Sequence, residues 1–297
     1  MYDADKLYQQ LMETITSQYP NFKTFRIVIS GASGSGKSVA AASFPVPKGK
    51  IRRVMDGEDS MAFIDAGVNG VDVYTPRKQR FAMQRTVYPT IRDYAALYKE
   101  INESNNIGVL VFDNVTTLQD LIVDVLMKGA SNPQALRELY DSFGLKGALP
   151  FDSMIRKWAQ NRDPGFWNSA KAVPKALIMA AMKKGIHLIA TTEEANVWMN
   201  YGSPEAKVIG KKAKIWDVWF KYFDVVISLQ RDSNSTNPPY GTINPLQPKI
   251  RMQGFNPKWI MDWEHFIEEL KAALKREEPE IPEEAKVTNE VVFEEEA

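Results

Sequence analysis

The sequence predicts an α/β protein with a mostly parallel central sheet, helices on both faces and a C-terminal antiparallel strand pair. Three observations support this fold class. Strand and helix signals alternate along the chain, as is typical of parallel sheets. Residues 107–113 form a near-continuous apolar run that ends in an acid, which indicates a strand buried on both faces. A glycine-rich octet at 31–38 lies between a predicted strand and a predicted helix.

The first half of the chain follows this alternation. Leu7, Leu11 and Ile15 form one apolar stripe at helical spacing, and the β-branched run at 25–30 is typical of a strand. The predicted elements are a helix at 3–18, a strand at 25–30, a helix at 38–43, a strand from 51, a short strand at 71–74, a helix at 90–104 and a strand at 107–113.

The second half begins with a less regular segment at 128–175, which prolines interrupt and which we interpret as a helical insertion with loops. The elements predicted after it are a helix at 174–184, a strand at 186–192, a loop at 194–214, a strand at 224–229, a turn at 234–239, an antiparallel return strand at 250–253 and a helix at 259–274. The predicted organisation is an N-terminal helix (1–22), a core (23–276) and an acidic tail (277–297).

The composition excludes several classes of protein. The 297 residues contain no cysteine and two histidines, so disulfides, thiolate metal sites and histidine-rich metal sites are not expected. No apolar run approaches the roughly 20 residues of a membrane span, and the first residues lack a signal-peptide pattern. These features predict a cytoplasmic protein without a membrane partner.

The net charge of zero conceals an uneven distribution. Residues 277–297 hold nine Glu and one Lys, which leaves 36 basic and 28 acidic residues, a net charge of +8, in the first 276. A basic body is compatible with a nucleic-acid partner. The acidic tail can compete with a polyanion, recruit a partner such as a single-strand-binding or other recombination protein, or simply be solvated.

The octet Gly-Ala-Ser-Gly-Ser-Gly-Lys-Ser matches G-x-x-x-x-G-K-[ST], a loop that binds nucleotide phosphates. Glycines allow a tight turn in which backbone N–H groups point inward at a phosphate. Lys37 is expected to reach the β- and γ-phosphates, and the Ser38 hydroxyl to bind Mg²⁺. The predicted ATP-binding residues are Gly31, Ala32, Ser33, Gly34, Ser35, Gly36, Lys37 and Ser38.

Hydrolysis also requires a carboxylate for Mg²⁺ and a group that orients water. Asp113 ends the buried strand at 107–113, where parallel sheets present ligand contacts, so it is the predicted second metal ligand. Asn114 follows it, whereas AAA+ proteins, packaging motors and many helicases have a Glu there. Glu58, after the second strand, is the predicted catalytic base. This role supposes that the second strand lies beside the phosphate-loop strand.

With these motifs the chain resembles RecA-like recombinase ATPases. The resemblance rests on the octet, on Met55-Asp56-Gly57-Glu58-Asp59, on Val111-Phe112-Asp113-Asn114-Val115-Thr116, on Ala190-Thr191-Thr192-Glu193, and on the strand 225–231 with its partner 249–252. It covers about 24–255 and is closest to short phage and prophage ATP-binding proteins associated with single-strand annealing. The resemblance implies ATP and Mg²⁺ as cofactors, Thr192 and Glu193 as phosphate sensors, assembly into a ring or filament, and location in a bacterial host's cytoplasm.

In RecA-like proteins the loop after the sensor strand contacts single-stranded DNA, and here that loop is 194–214. Aromatic side chains can stack on bases while lysines follow the phosphates. The candidate DNA-binding residues are Trp198, Tyr201, Lys207, Lys211, Lys212 and Lys214. Arg231, or the same lysines, can instead reach a neighbouring subunit's ATP.

Two alternatives remain open from the sequence. The chain can be an ATP-dependent switch that recruits a partner without binding DNA. It can also be a small-molecule kinase, for which Arg156, Lys157 and Arg162 would form the lid over the nucleotide.

Overall fold

The described part of the protein, taken from a computed structural model, comprises residues 4–17, 19–64, 83–199, 205–230, 240–243, 259–260 and 263–275. Several predicted features lie outside these residues. They are the strands at 71–74 and 250–253, the turn at 234–239, the acidic tail, Tyr201 and Arg231.

The described elements alternate between strands and helices for most of the chain. In order they are α1 (Ala4–Thr16), β1 (Arg26–Gly31), α2 (Lys37–Ser43), β2 (Ile51–Asp56), α3 (Met61–Ile64), β3 (Met83–Val87), α4 (Ile91–Glu103), β4 (Ile107–Asp113), α5 (Val115–Gly129), α6 (Pro133–Ser142), α7 (Asp152–Ile155), α8 (Pro164–Lys183), β5 (His187–Thr192), β6 (Glu194–Met199), β7 (Lys207–Ala213), α9 (Asp217–Tyr222), β8 (Val225–Gln230), β9 (Tyr240–Ile243), β10 (Trp259–Ile260) and α10 (Trp263–Lys275).

The central sheet has the strand order β10-β9-β8-β1-β5-β4-β2-β3. The six strands from β8 to β3 are parallel, and β9 and β10 extend this sheet in antiparallel fashion. The predicted mostly parallel sheet with an antiparallel C-terminal pair is therefore confirmed. The expectation that β2 lies beside β1 is wrong, because β5 and β4 separate them. Strands consecutive in sequence are often neighbours in a sheet, but here two later strands lie between β1 and β2.

Two apolar clusters cover the two faces of the sheet, as the fold class requires. Alternate residues of one strand face opposite sides. Val28 accordingly joins the cluster under α4, α5 and α8, whereas Ile27 and Ile29 join the cluster under α1, α2 and α10. Both faces are thus dry, which explains why β1, β4 and β5 are almost wholly apolar in their interiors.

The segment predicted as a helical insertion forms α6, α7 and the first part of α8. Its large side chains Tyr140, Trp158 and Phe166 are buried in the same cluster as the sheet residue Phe112. Helix α8 begins ten residues earlier than the predicted start at 174, with Asp163 as its N-cap and Pro174 inside it. The predicted helix begins at Pro174 because a proline inside a helix normally breaks it, whereas here α8 continues through this residue.

A two-stranded antiparallel hairpin, β6–β7, follows β5. The sequence predicted a loop here because the segment is polar and contains glycine and proline. A register shift between Val197 and Trp198 marks a bulge in the hairpin. None of the helices in the part of the chain described here has the length and apolar character needed to span a bilayer.

Candidate functional site

The octet forms a tight loop between β1 and α2, here called the glycine loop (residues 31–38). Gly34 and Gly36 adopt positive φ angles of 75° and 95°, which side chains rarely tolerate. A Cβ at Gly31 would lie 2.5 Å from the Ser35 hydroxyl oxygen and 2.7 Å from the Leu229 carbonyl oxygen. All three glycines of the octet therefore stand where backbone geometry or close packing favours glycine.

Lys37 brings its charge into the glycine loop instead of projecting into solvent. The residue is buried, and its Nζ donates hydrogen bonds to the carbonyl oxygens of Gly31 (3.1 Å) and Ala32 (2.9 Å). An ammonium group held inside a concave turn of backbone N–H groups is suited to bind an anion.

Asp113 ends β4 at the carboxyl edge of the sheet and is 1% exposed. Thr191, at the end of the adjacent strand β5, donates a hydrogen bond to its Oδ1. Burial raises the pKa of this carboxyl group to about 6, although the Thr191 hydrogen bond and the nearby Ser38 hydroxyl oppose the rise. The carboxylate is therefore ionised at neutral pH but is poorly solvated.

The Ser38 hydroxyl lies close enough to Asp113 to lower the pKa of its carboxyl group, so the two predicted metal ligands are neighbours. They follow β1 and β4, which β5 separates, so their strands lie about 10 Å apart. Oδ2 of Asp113 and the hydroxyl of Ser35 are buried polar atoms without a hydrogen-bond partner among the described residues. Such atoms are rare in a folded interior and mark a place where a ligand can supply the missing partners.

The Ser38 and Asp113 oxygens suit a Mg²⁺ that is bound together with a nucleotide better than a metal ion that is held by protein side chains alone. No group of three or more His, Cys, Asp or Glu side chains is arranged to hold a metal ion within the described ranges. Mg²⁺ in nucleotide sites typically takes one or two protein oxygens and completes its shell with phosphates and water. The Ser38 hydroxyl and the Asp113 carboxylate satisfy that requirement.

Glu58 lies in the turn after β2, beside Asp113, even though β2 is distant from β1. Its Oε1 accepts a 2.6 Å hydrogen bond from the side-chain amide of Asn114. The carboxylate side chain remains exposed at the carboxyl edge. β2 and β4 are neighbours with Asp56 opposite Asp113, and this pairing brings Glu58 to the site.

A buried ion pair that sequence reasoning missed holds the Glu58 turn. Asp56 is fully buried, accepts a 3.0 Å hydrogen bond from the Glu58 backbone N–H, and pairs with Arg85 at 2.6 Å. Arg85 lies on edge strand β3 and is also paired with Asp59. Asp56 carried a signal, since it is an acid at a strand end, but no motif singled out Arg85.

The predicted sensors Thr192 and Glu193 are engaged with the end of the hairpin. The Thr192 hydroxyl donates to the Lys214 carbonyl oxygen (3.1 Å), and the exposed Glu193 carboxylate lies 3.5 Å from the Lys214 ammonium group. The residues on either side of this pair contact the site instead. Thr191 donates a hydrogen bond to Asp113, and Glu194 accepts one from Ser30 on the strand before the glycine loop.

Glu194 was not predicted from the sequence, yet its side chain is only 6% exposed. It accepts hydrogen bonds from Ser30, which precedes the glycine loop, and from Ser228 on β8. Lys211 of the hairpin lies 4.0 Å from the same carboxylate. Glu194 therefore links the base of the hairpin to the strand that carries the glycine loop.

The hairpin presents the predicted lysines in two ways. Lys211 and Lys214 are exposed but lie near carboxylates of Glu194 and Glu193. Lys207 and Lys212 pair across the hairpin with Met199 and Ala195, which are four residues apart on β6. The bulge thus brings Lys207 and Lys212 to the same face of the hairpin. Trp198 pairs with Val208 in the backbone register.

The basic residues proposed as a kinase lid lie in the segment between α6 and α8. Arg162 contacts the Met127 sulfur at 3.0 Å, near the end of α5. Helix α5 begins immediately after Asp113 and Asn114, so Met127 is about 18 Å further along its axis. Arg156 and Lys157 are exposed beside α7. Among the described residues, no hydrogen bond or ion pair joins Arg156, Lys157 or Arg162 to the octet.

Comparison with known proteins adds no family assignment: no family model matches the chain, and no curated protein is similar enough to match.

Proposed function

We propose that this chain is a Mg²⁺-dependent ATPase of the RecA-like class that acts on single-stranded DNA. One observation carries the ATPase part of the proposal. Asp113 is 75 residues from Ser38 in the sequence, yet the fold brings its carboxylate close to the Ser38 hydroxyl, next to the Lys37 that lines the glycine loop. The strand order, in which a strand separates the loop strand from the acid strand, also supports this class.

In this proposal the glycine loop binds the triphosphate. Its backbone N–H groups face the β-phosphate, and Lys37 exchanges its bonds to the Gly31 and Ala32 carbonyls for phosphate oxygens. Ser38 and Asp113 hold Mg²⁺, which when bound neutralises charge that develops on the β- and γ-phosphates.

Glu58 is the proposed base. Its carboxylate orients a water molecule and accepts a proton as the water oxygen bonds to the γ-phosphorus. The bond from that phosphorus to the β,γ-bridging oxygen breaks, so the products are ADP and inorganic phosphate, and the proton on Glu58 is later lost to solvent. Because Glu58 is exposed at the carboxyl edge, a water molecule can reach it from bulk solvent and the proton can later return to solvent.

The hairpin supports the DNA part of the proposal. Four lysines lie on β7 or directly after it, and one of them, Lys211, lies 4.0 Å from the buried carboxylate of Glu194, which is bonded to Ser30 before the glycine loop. A nucleotide that alters the glycine loop has a short route to the hairpin through this contact. Assembly of several copies along DNA is part of the same proposal, because RecA-like sites are completed across subunit interfaces.

Phosphate release from ATP tests the enzymatic part. We expect wild-type protein to release phosphate only with Mg²⁺. Lys37→Ala should abolish nucleotide binding, and Glu58→Gln should retain binding while lowering kcat roughly 100- to 10,000-fold. Glu138→Gln makes the same change at an exposed residue of α6 and should have no effect. Wild-type rates in Glu58→Gln would refute the assigned base.

Binding of fluorescent single-stranded DNA, with and without ATP, tests the second part. Affinity that is measurable at low salt and falls steeply as salt rises supports DNA binding. Nucleotide binding without DNA binding at low salt would instead favour an ATP-dependent switch.

A further inference from the structure

Asn114 occupies a position between the predicted metal ligand and the predicted base. It follows Asp113, is 5% exposed, and is the N-cap of α5. Its Oδ1 accepts a hydrogen bond from the Thr116 backbone N–H at 2.6 Å, and its Nδ2 donates to Glu58 Oε1 at 2.6 Å. The N-cap hydrogen bond requires the amide oxygen of Asn114 to point toward the helix, so its NH₂ group points toward Glu58.

The backbone around Glu58 is held independently of this bond. The Gly57 N–H donates to the Asp113 carbonyl oxygen, and the Glu58 N–H donates to Asp56. Arg85 in turn fixes the Asp56 carboxylate. The backbone therefore has a defined place, while the side chain of Glu58 is exposed and has freely rotating bonds that these contacts do not restrain.

We propose that Asn114 is a positioning residue, which orients the Glu58 carboxylate toward the attacking water. The proposal rests on the ATPase function proposed above. The amide N–H occupies Oε1 and leaves Oε2 to accept the water proton. Since Asn114 adjoins Asp113 and caps α5, the orientation of the base is tied to the metal ligand. In other ATPases a glutamate at this position itself serves as the base. Here the Asn114 amide instead holds Glu58, a base that follows the neighbouring strand β2.

Asn114→Ser separates this role from helix capping. Serine is also a favourable N-cap, so the bond to Thr116 is retained, but its side chain is too short to reach Glu58. Asn132→Ser is the matched control, because Asn132 caps α6 through Ala135 and is exposed. Asn114→Thr, another capping residue, provides a second variant if the serine protein folds poorly.

We expect Asn114→Ser to lower kcat about 10- to 100-fold, because a misplaced catalytic group loses its near-attack geometry. The KM for ATP and the Kd for a non-hydrolysable ATP analogue should stay within about twofold of wild type, and Asn132→Ser should retain wild-type kcat. Thermal unfolding of each variant confirms that the fold is intact.

A double-mutant cycle with Glu58→Gln provides the decisive comparison. If Asn114 acts through Glu58, adding Asn114→Ser to Glu58→Gln should cause no further loss of kcat. Equal fold-losses in both backgrounds, or unchanged kcat in Asn114→Ser, would overturn the positioning role while leaving the ATPase proposal intact. Failure of the wild type to release phosphate would instead refute the ATPase proposal itself.

Discussion

At the scale of single residues, the carboxylate of Asp113 differs from an ordinary buried carboxylate. A buried carboxylate normally has a partner for both oxygens, because an unpaired charge in a dry interior is costly. The Oδ1 of Asp113 accepts a hydrogen bond from Thr191, yet its Oδ2 has no partner among the described residues. Its pKa is accordingly raised to about 6. The site stores an unfavourable charge that a cation would compensate.

Asp113→Asn should therefore stabilise the protein measured without nucleotide or Mg²⁺. The amide keeps an acceptor for Thr191 and removes the buried charge, so we expect the free energy of unfolding at pH 7.5 to rise by about 1–3 kcal/mol. Urea denaturation measures this change. Asp120→Asn, on an exposed position of α5, should leave stability within about 0.5 kcal/mol. A destabilised Asp113→Asn protein would contradict the strained-charge interpretation.

The same substitution should remove the effect of Mg²⁺ on nucleotide affinity. Titration of a fluorescent ATP analogue, with Mg²⁺ or with chelator, should give different Kd values for wild type and similar values for Asp113→Asn. Gain of stability together with loss of the Mg²⁺ effect is the pattern expected of a ligand residue and not of a structural one.

At the scale of elements, the hairpin β6–β7 shows how polar sequence can conceal regular structure. The pattern around 194–214 predicted a loop because it is polar and contains glycine and proline. Cross-strand backbone hydrogen bonds nevertheless order β6 against β7. These bonds do not depend on side-chain hydrophobicity, so the apolar alternation that reveals a buried strand is absent here.

Replacing both Lys207 and Lys212 with alanine should weaken binding to single-stranded DNA. The bulge places them on one face, so they can contact the same stretch of phosphates. Loss of two phosphate contacts should reduce the slope of log affinity against log salt by about 1.4. Lys211 is less suitable for this test because its removal would also disturb the buried Glu194.

The control is Lys99→Ala with Lys128→Ala, which makes the same charge change at exposed positions on α4 and α5. Salt titrations of fluorescence anisotropy compare the two double variants. An equal decrease in slope for both would show that the effect reflects net charge and that the hairpin is not the DNA contact.

At the scale of the whole molecule, His187 joins three parts of the fold. It begins β5, accepts a 2.9 Å hydrogen bond at Nδ1 from the Phe25 backbone N–H, and lies 3.0 Å from the Tyr8 hydroxyl of α1 through Nε2. Because Nδ1 is an acceptor, the neutral ring carries its proton on Nε2, and this N–H donates a hydrogen bond to the Tyr8 hydroxyl oxygen. Burial lowers the pKa of His187 to about 4, so the buried ring is uncharged at neutral pH.

His187 and Asp113 should have opposite effects on acid stability. The lowered pKa of His187 provides stability above about pH 6.5 that is lost as pH falls toward 4. The raised pKa of Asp113 works in reverse, because protonation removes a penalty as pH falls from about 6 toward 3.8. The two shifts are of similar size, so in wild type they largely offset each other between pH 4 and 6.

His187→Gln tests this balance through a change of slope. Without the histidine, the difference in unfolding free energy between pH 4.5 and pH 7 should shift in favour of the acidic condition relative to wild type. Asp113→Asn should shift it in favour of neutral pH. Urea midpoints at the two pH values provide the measurement, and His265→Gln, at an exposed histidine of α10, is the control. Parallel curves for wild type and His187→Gln would contradict the assigned burial effect.

Local sequence patterns were sufficient for the glycine loop and for β4. The octet encodes its own turn, because its glycines fall where positive φ or close packing is required. The strand at 107–113 was predicted with its observed bounds, because burial on both faces demands a continuous apolar run. The parallel sheet, its helical cover and the placement of Asp113 at a strand end followed from the same local signals.

The contacts that make a site from these parts arise from the tertiary fold. Asn114 reaches Glu58 across 56 residues, and Thr191 reaches Asp113 across 78. Both contacts depend on which strands are neighbours, and the insertion of β5 between β1 and β4 leaves no trace in local periodicity. Hydrophobic patterning specifies that a strand is buried, but strand order depends on packing of the whole sheet. The residues proposed to bind phosphate were therefore recognisable along the chain, whereas the residue proposed to position the base became visible only in three dimensions.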